Sequence, residues 1–387
     1  MNDVISTTEL LALREQISAL DNEGMELLKK RLSLSGQVGR LKQKDNTKII
    51  DPAREKAVIQ KAQDHFDFSM RHKVESIMST IMRISRENQY EILIEKDSDW
   101  QTGKEIREAG KRIPKPKSVS FLGTPGSYSY LTAAKIFPES TLIPAPTFDE
   151  TCRKVTDGEC DLAVMPLENT TAGTVNDVMD LLTTSPVYII KAFSVPIRHN
   201  LLLLTGCDIG KVKTVISHPQ ALAQCSKFIK KMGWTPLAVE NTSLAAGLLI
   251  EKNDPSFCAI ASREAALRNG LYVSDEDICD TACNQTRFVM ISRKLVISGK
   301  ADRISIAFRL SHQAGSLAFT LNLFAERGLN LTRIQSRPVP DRPWEYSFWV
   351  DLEAKRGDMD AILALYQLSK ELPFIKLMGW YEETTIL

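Results

Sequence analysis

Between residues 7 and 44 the apolar side chains Leu10, Leu13, Ile17, Leu20, Leu27, Leu28, Leu34, Val38 and Leu41 recur at three- and four-residue steps, with no proline among them. That period predicts one long amphipathic helix. At roughly 1.5 Å per residue such a helix outreaches any core it can cover alone. Its stripe needs partner helices, and a second subunit is the natural source. Asp51 followed by Pro52 restarts a helix, with Asp as the cap and Pro at the first position. A third helix is expected over residues 69–94. Gly24 weakens the first helix by up to ~1 kcal/mol relative to Ala and has no evident role.

Residues 96–117 are polar and basic, and their end, Lys111 to Lys117, is stiffened by Pro114 and Pro116. They read as a linker. Residues 118–297 then alternate short apolar strands (119–122, 162–165, 187–190, 214–217, 258–261) with helices, the pattern of a mostly parallel α/β sheet. From residue 303 the order becomes βαββαβ, a ferredoxin-like α+β unit expected to fold as a separate layer. The domains are therefore expected at 1–95, 118–297 and 298–387.

With 387 residues, 43% hydrophobic and 25% charged, the composition is that of a soluble globular protein. A formal net charge of +1 argues against nucleic acid or acidic membrane as a partner. No apolar run approaches the ~20 residues that span a bilayer. Residues 1–20 have no basic stretch leading into an apolar core, so no secretory signal is expected. The seven cysteines are odd in number and scattered. Cys279 and Cys283, the closest pair, lack the second pair or the neighbouring His of a metal set. A cytoplasmic protein with reduced thiols is expected.

Three groups of residues carry chemistry. In the helical segment, Arg14, Arg31 and Lys42 lie near the leucine stripe. Asp51, Arg54 and Glu55 share a first turn, and Ser85 and Gln89, four apart, share a face. Each alone reads as a solvated helix charge; together they outline a polar pocket for a small dianion, clamped by forked guanidinium pairs. In the α/β segment, Glu168-Asn169-Thr170 stands where a strand ends and a helix begins, where open sheets bind small ligands. Ser127, His218 and the run Asn284-Gln285-Thr286-Arg287-Phe288 occupy similar junctions. Each also reads as a capped turn, and Arg287 equally as a structural ion pair.

The first set, over residues 8–92, resembles the helical chorismate mutases. That likeness implies the rearrangement of chorismate to prephenate, which needs no nucleophile and no proton transfer. It assigns Arg14 (from a partner subunit), Arg31 and Ser85 to carboxylates, Lys42 and Gln89 to the ether oxygen, Asp51 and Glu55 to the ring hydroxyl, and Arg54 to support of the carboxylate cluster. The second set resembles prephenate dehydratase. It implies two lobes like a type II periplasmic binding protein, and the loss of water and CO2 from prephenate to give phenylpyruvate. Thr286 is then the essential residue, and Ser127, Asn169, Thr170, His218 and Arg287 bind substrate.

The C-terminal segment resembles an ACT regulatory domain, with L-phenylalanine expected at the turn Ala314, Gly315, Ser316, Leu317, Ala318 and at the strand end Gln335, Ser336, Arg337, Pro338. Gln335 replaces the family's usual Glu, which puts the strength of inhibition in question. A homodimer or higher homo-oligomer is implied, and no metal or organic cofactor. The rival is a non-catalytic small-molecule sensor with an ACT tail, which leaves Thr286 and the helical cations without a use.

Overall fold

The computed structural model describes residues 7–45, 47–281, 283–313, 315–339, 342 and 344–386, and for residues 7 and 8 the backbone. Ala314 and the first six residues, both within stretches read above, lie outside the described residues. In chain order the elements are α1 (Thr7–Lys44), α2 (Pro52–Gln63), α3 (Phe68–Ile94) and α4 (Gln101–Glu108). There follow β1 (Ser118–Leu122), α5 (Tyr128–Ile136), β2 (Thr141–Ala145), α6 (Phe148–Thr156), β3 (Leu162–Asn169), β4 (Gly173–Thr174), α7 (Asn176–Thr184) and β5 (Tyr188–Pro196). Next come β6 (Asn200–Leu203), β7 (Thr214–Ser217), α8 (Pro219–Gln224), α9 (Ser226–Met232), β8 (Thr235–Ala238), α10 (Thr242–Lys252), β9 (Phe257–Ala261), α11 (Arg263–Arg268), β10 (Tyr272–Asp275) and β11 (Gln285–Ser292). The chain closes with β12 (Arg303–Arg309), α12 (Ser316–Glu326), β13 (Leu331–Pro338), β14 (Tyr346–Glu353), α13 (Met359–Glu371), β15 (Phe374–Tyr381) and β16 (Glu383–Thr385).

These elements divide into two compact units. One takes the residues up to 104 together with 359–372; the other takes 105–358 and 373–387. In the first, α1 and α2 pack on α3. Glycines bring α1 close: a Cβ on Gly36 would meet Ile92 at 3.3 Å, and one on Gly39 would meet Gln89 at 3.1 Å. Further toward its N-terminus α1 is bare, with Leu10 at 41% and Leu20 at 67% exposure. The helix is as long as expected, but of the nine stripe residues only Leu28 is half-buried; the other eight, Leu34, Val38 and Leu41 included, are exposed within one chain.

In the second unit, the described residues form an eleven-stranded sheet with the main order β13-β14-β12-β15-β5-β11-β3-β1-β2 and a five-stranded sheet with the order β10-β6-β9-β7-β8. Strands β1, β2 and β3 run parallel, while β11 runs antiparallel between β3 and β5. Both faces of these strands are covered. Met165, Val289 and Ile291 belong to one cluster, and Val164, Phe288 and Met290 to another. This is why they read as unbroken apolar runs. The second sheet is sandwiched the same way, with Leu201 and Ile260 on one side and Leu202 and Ala259 on the other.

The C-terminal segment departs from the expected separate layer. β12 to β15 do pair antiparallel as β13-β14-β12-β15. However, β15 and β16 then run parallel beside β5, so the sheet continues into the α/β strands, and α13 groups with the helical unit. Apolar alternation specifies which face is buried but not which edge finds a neighbour. The expected linker, 96–117, also contains α4, and Gly110 bridges to Val296.

Where β15 crosses β5, a Cβ on Gly379 would stand 2.1 Å from the Ile189 carbonyl oxygen. Backbone must move to admit any side chain there. Gly379→Ala is expected to cost about 1–3 kcal/mol, read as a lower denaturant midpoint. An unchanged midpoint would show that this crossing is loose.

Candidate active sites

The C-terminal half of α1, the first turn of α2 and the middle of α3 enclose a cavity of about 330 Å³. Its walls carry Arg31, Lys42, Asp51, Arg54, Glu55, Ser85 and Gln89, all but one of the eight residues expected there. Arg31 Nη1 donates to the Ser85 hydroxyl and, at 3.3 Å, to the Ile81 carbonyl. Burial lowers its pKa. Gln89 Nε2 donates to Ser35 Oγ at 3.0 Å, which uses one of its two N–H bonds. Lys42 Nζ donates to the Ile49 carbonyl at 2.6 Å, so its ammonium is held at the cavity wall. Asp51 caps α2, accepting from Arg54 N at 3.0 Å. Arg14 is not among them. It is exposed on α1, and 17 residues before Arg31 means roughly 25 Å along the axis.

A second cavity, of about 450 Å³, contains Ser127, Asn169, His218 and Thr286 in its lining. Ser127, His218 and Asn241 are the N-caps of α5, α8 and α10, and all three line it. Three helix N-termini, with their partial positive charge, therefore converge on one space, a setting for an anion. The register of β3 and β11 puts Asn169 directly opposite Thr286. Asn169 Nδ2 donates to Thr286 Oγ1 at 2.9 Å. The Thr286 hydroxyl proton is thereby free to point at a ligand, on an oxygen already polarised by an accepted bond.

Behind this pair lies a buried network. Asn169 Oδ1 accepts from Thr171 N, Ala172 N and Gln224 Nε2 at 3.0, 2.9 and 3.2 Å. Gln224 Oε1 accepts from His199 Nε2 at 2.8 Å and Asn284 Nδ2 at 3.1 Å. His199 thus carries its proton on Nε2, and its buried Nδ1 has no hydrogen-bond partner among the described residues. Burial lowers the pKa of both His199 and His218, favouring neutral rings.

Two expected ligands stand elsewhere. The Thr170 hydroxyl donates to the Cys283 carbonyl at 2.8 Å and accepts from Gln285 N at 3.0 Å, tying strand ends together. Arg287 follows Thr286 on β11 and so takes the opposite face. There it donates to Asp351 Oδ2 at 2.7 Å and to the Tyr381 hydroxyl at 3.0 Å, and pairs with Glu383 at 3.1 Å. Its structural reading is the one the geometry favours. In the C-terminal segment, Gly315 is the left-handed cap of α12 (φ 83°). Ser316 and Leu317 line a cavity of about 180 Å³ with His312, Tyr346 and Phe348. Ala318 is exposed, and residues 335–338 are not part of that lining. Arg337 instead holds Asp180 in a fork, at 3.1 and 2.6 Å.

Sequence reading passed over Ser35, Arg86, His199, Gln224 and Asn241. Two had a signal. Arg86 stands three residues before Gln89, on the same helical face, and His199 lies in a polar trio between apolar runs. Gln224 joins the network only through the meeting of the two lobes.

A family model for chorismate mutase type II matches residues 13–90, and one for prephenate dehydratase matches residues 119–295. The bifunctional chorismate mutase/prephenate dehydratase of Escherichia coli strain K12 is 30% identical over 389 residues, covering 99% of this chain and 98% of that protein. A solved prephenate dehydratase from Arthrobacter aurescens, in complex with L-Phe, is 30% identical with a TM-score of 0.64, covering 68% of this chain and 90% of that one. A structure described as GqqA, a quorum-quenching acylase, is 29% identical with a TM-score of 0.62, covering 68% and 97%. The two matched segments are those of a two-activity enzyme of aromatic amino-acid biosynthesis. The chain belongs to the bifunctional chorismate mutase/prephenate dehydratase family, acting in phenylalanine biosynthesis. Among the described residues, no helix is long and apolar enough to cross a membrane.

The Arg287–Asp351 pair has a pH signature. Burial pushes the Asp351 carboxyl up, but the Arg287 guanidinium outweighs this and holds it below the ordinary range. A depressed folded pKa adds stability above the unfolded value of about 3.9, lost as pH falls through the folded value. Asp351→Asn should therefore be about 3 kcal/mol less stable at neutral pH and lose less as pH falls below about 4. Denaturant titrations across that range measure it; parallel losses in both proteins would remove the pair from this role.

Proposed function

We propose that the α1–α3 cavity is the mutase site and the cavity around Thr286 is the dehydratase site. In the first, Arg31 and Ser85 hold substrate carboxylates, with Arg54 supporting the carboxylate cluster. Lys42 and Gln89 direct N–H bonds at the ether oxygen, where negative charge grows as the bond breaks. Asp51 and Glu55 engage the ring hydroxyl. The protein selects a compact conformer and supplies no proton. Arg14 is contributed by a second copy. Its distance along α1 from Arg31, and the bare apolar stripe around it, support a homodimer that pairs along this helix.

In the second site, the helix N-termini at Ser127, His218 and Asn241 receive the prephenate dianion. The Thr286 hydroxyl, polarised by Asn169, donates toward the departing ring hydroxyl as the carboxylate leaves as CO2. Aromatisation drives both losses. Asn169 and Thr286, 117 residues apart in sequence and 2.9 Å apart in the cavity, carry this reading. Thr170 and Arg287 hold strands β3 and β11 rather than substrate. Acyl transfer by Thr286 is disfavoured: its hydroxyl accepts from an amide and is not bonded to a general base.

The C-terminal segment is read as an ACT domain that binds L-phenylalanine at residues 315–318 and 335–338 and makes the protein feedback-inhibited. The L-Phe complex of the Arthrobacter relative supports an effector of this kind. Arg333 donates to Thr174 at 2.9 Å, and Arg337 holds Asp180. Strand β13 thus grips residues just beyond the Asn169 motif, a route by which an effector could bias the site. The protein is expected to act in the cytoplasm.

Lys42→Ala should cut mutase turnover by about 10²–10³-fold and spare the dehydratase, and Thr286→Ala should do the reverse. Chorismate consumption and phenylpyruvate formation from prephenate, measured on each variant, test both; loss of both activities in either variant would refute the assignment. Gly315→Val, strained at a left-handed position, should leave both basal rates and raise the phenylalanine concentration for half-inhibition. An unshifted titration would place the effector elsewhere.

A further inference from the structure

The helical cavity contains a charged group outside the set assigned to it. Arg86 lines it, and its Nη1 meets Glu55 Oε1 at 2.5 Å. Its Nε turns away and meets Glu371 Oε1 at 3.2 Å. Arg86 thus bridges two carboxylates through different nitrogens, and the rigid guanidinium plane fixes the angle between them. Side-chain exposure is 10% for Arg86 and 5% for Glu371, so water screens the inner pair little. Gln367 Nε2 donates to the same Glu371 oxygen at 3.3 Å.

Glu371 is the last residue of α13, some 280 residues beyond the helices that build the cavity, and α13 is firmly seated there. Tyr366 donates to Asp97 at 2.9 Å, and Lys370 pairs with Asp97 at 2.6 Å. Tyr366 also stacks edge-on with Tyr90 and Trp100, at 6.0 and 5.2 Å between ring centres. These contacts seat α13 without using the Glu371 carboxylate, whose ion-pair partner is Arg86.

We propose that Arg86 is a positioning residue of the mutase site, and that Glu371, from the C-terminal end of the chain, completes the site by fixing where Arg86 presents its charge to Glu55. The inference rests on reading the α1–α3 cavity as the mutase site. Without Glu371, the buried Arg86 guanidinium loses one of its carboxylate partners. It then draws Glu55 away from the substrate's hydroxyl, or competes for a substrate carboxylate. Either weakens a contact made in ground and transition state alike, so the loss falls on KM rather than kcat. A merely unfolded fraction would lower apparent kcat and leave KM unchanged.

The test uses full-length Glu371→Gln, Glu371→Asp, Arg86→Met and the double variant Arg86→Met/Glu371→Gln. Glu371→Gln is expected to raise the KM for chorismate about tenfold, with mutase kcat within threefold and dehydratase turnover unchanged. Glu371→Asp, which keeps the charge, should recover most of the KM. The double variant should be no worse than Arg86→Met alone, because the two residues act as one unit. An unchanged KM in Glu371→Gln, or losses that multiply in the double variant, would overturn the proposal. If Glu371→Gln also loses dehydratase turnover, Arg86→Lys decides: a raised KM supports the bridge, and an unchanged one ends it. Lys42→Ala separates the two readings. If it spares the mutase, the site assignment fails; if it abolishes the mutase while Glu371→Gln changes nothing, only the present inference does.

Discussion

Strand β11 is the member on which the α/β unit depends. It runs antiparallel to both β3 and β5, and its side chains alternate between two surroundings. On one face Thr286 accepts from Asn169 at the floor of a cavity. On the other Arg287 is locked among Asp351, Tyr381 and Glu383. Asp351 is itself fully buried and accepts from Ser305 and Trp349. A shift of one residue in register would exchange these faces and lose both. The charge cluster that joins the C-terminal strands to the α/β sheet thus fixes the strand that presents the Thr286 hydroxyl.

The helical unit is built on a different constraint. One long helix serves two purposes along its length. Its C-terminal half, thinned by Gly36 and Gly39, presses onto α3 and turns Arg31 and Lys42 into a cavity. Its N-terminal half keeps its leucines in the open. Burial of a side chain as large as Leu is worth about 1.5–3 kcal/mol, so covering this surface would be favourable. The cavity also draws on the far end of the chain, through Glu371. Both the dehydratase and the mutase regions therefore hold residues of the C-terminal segment: β15 and β16 in the one, α13 in the other.

Much was legible without coordinates because it rests on local chemistry. The three-four period of leucines set α1, the Asp51-Pro52 pair set the start of α2, and apolar runs bounded by polar junctions marked β1, β3, β7 and β9. Motif residues at strand ends, Ser127, Asn169, His218 and Thr286, came together as expected, because strand ends in open sheets converge on a crevice. Thr170 and Arg287 did not, and the reason is alternation. Neighbours on a strand point apart, so a motif of consecutive residues cannot send all its members to one site.

The amino-acid sequence by itself therefore determined the elements, the class of each segment and the residue types available for chemistry, since these follow from periodicity, capping and charge within a few turns of chain. Only the tertiary structure decided which faces met. It set Asn169 against Thr286 and Gln224 against His199. It gave Arg287 to Asp351, joined the C-terminal strands to β5, and brought Glu371 to Arg86. Those pairings span from about 25 to nearly 290 residues. They depend on which edges and surfaces find one another in space, and no local pattern encodes that choice.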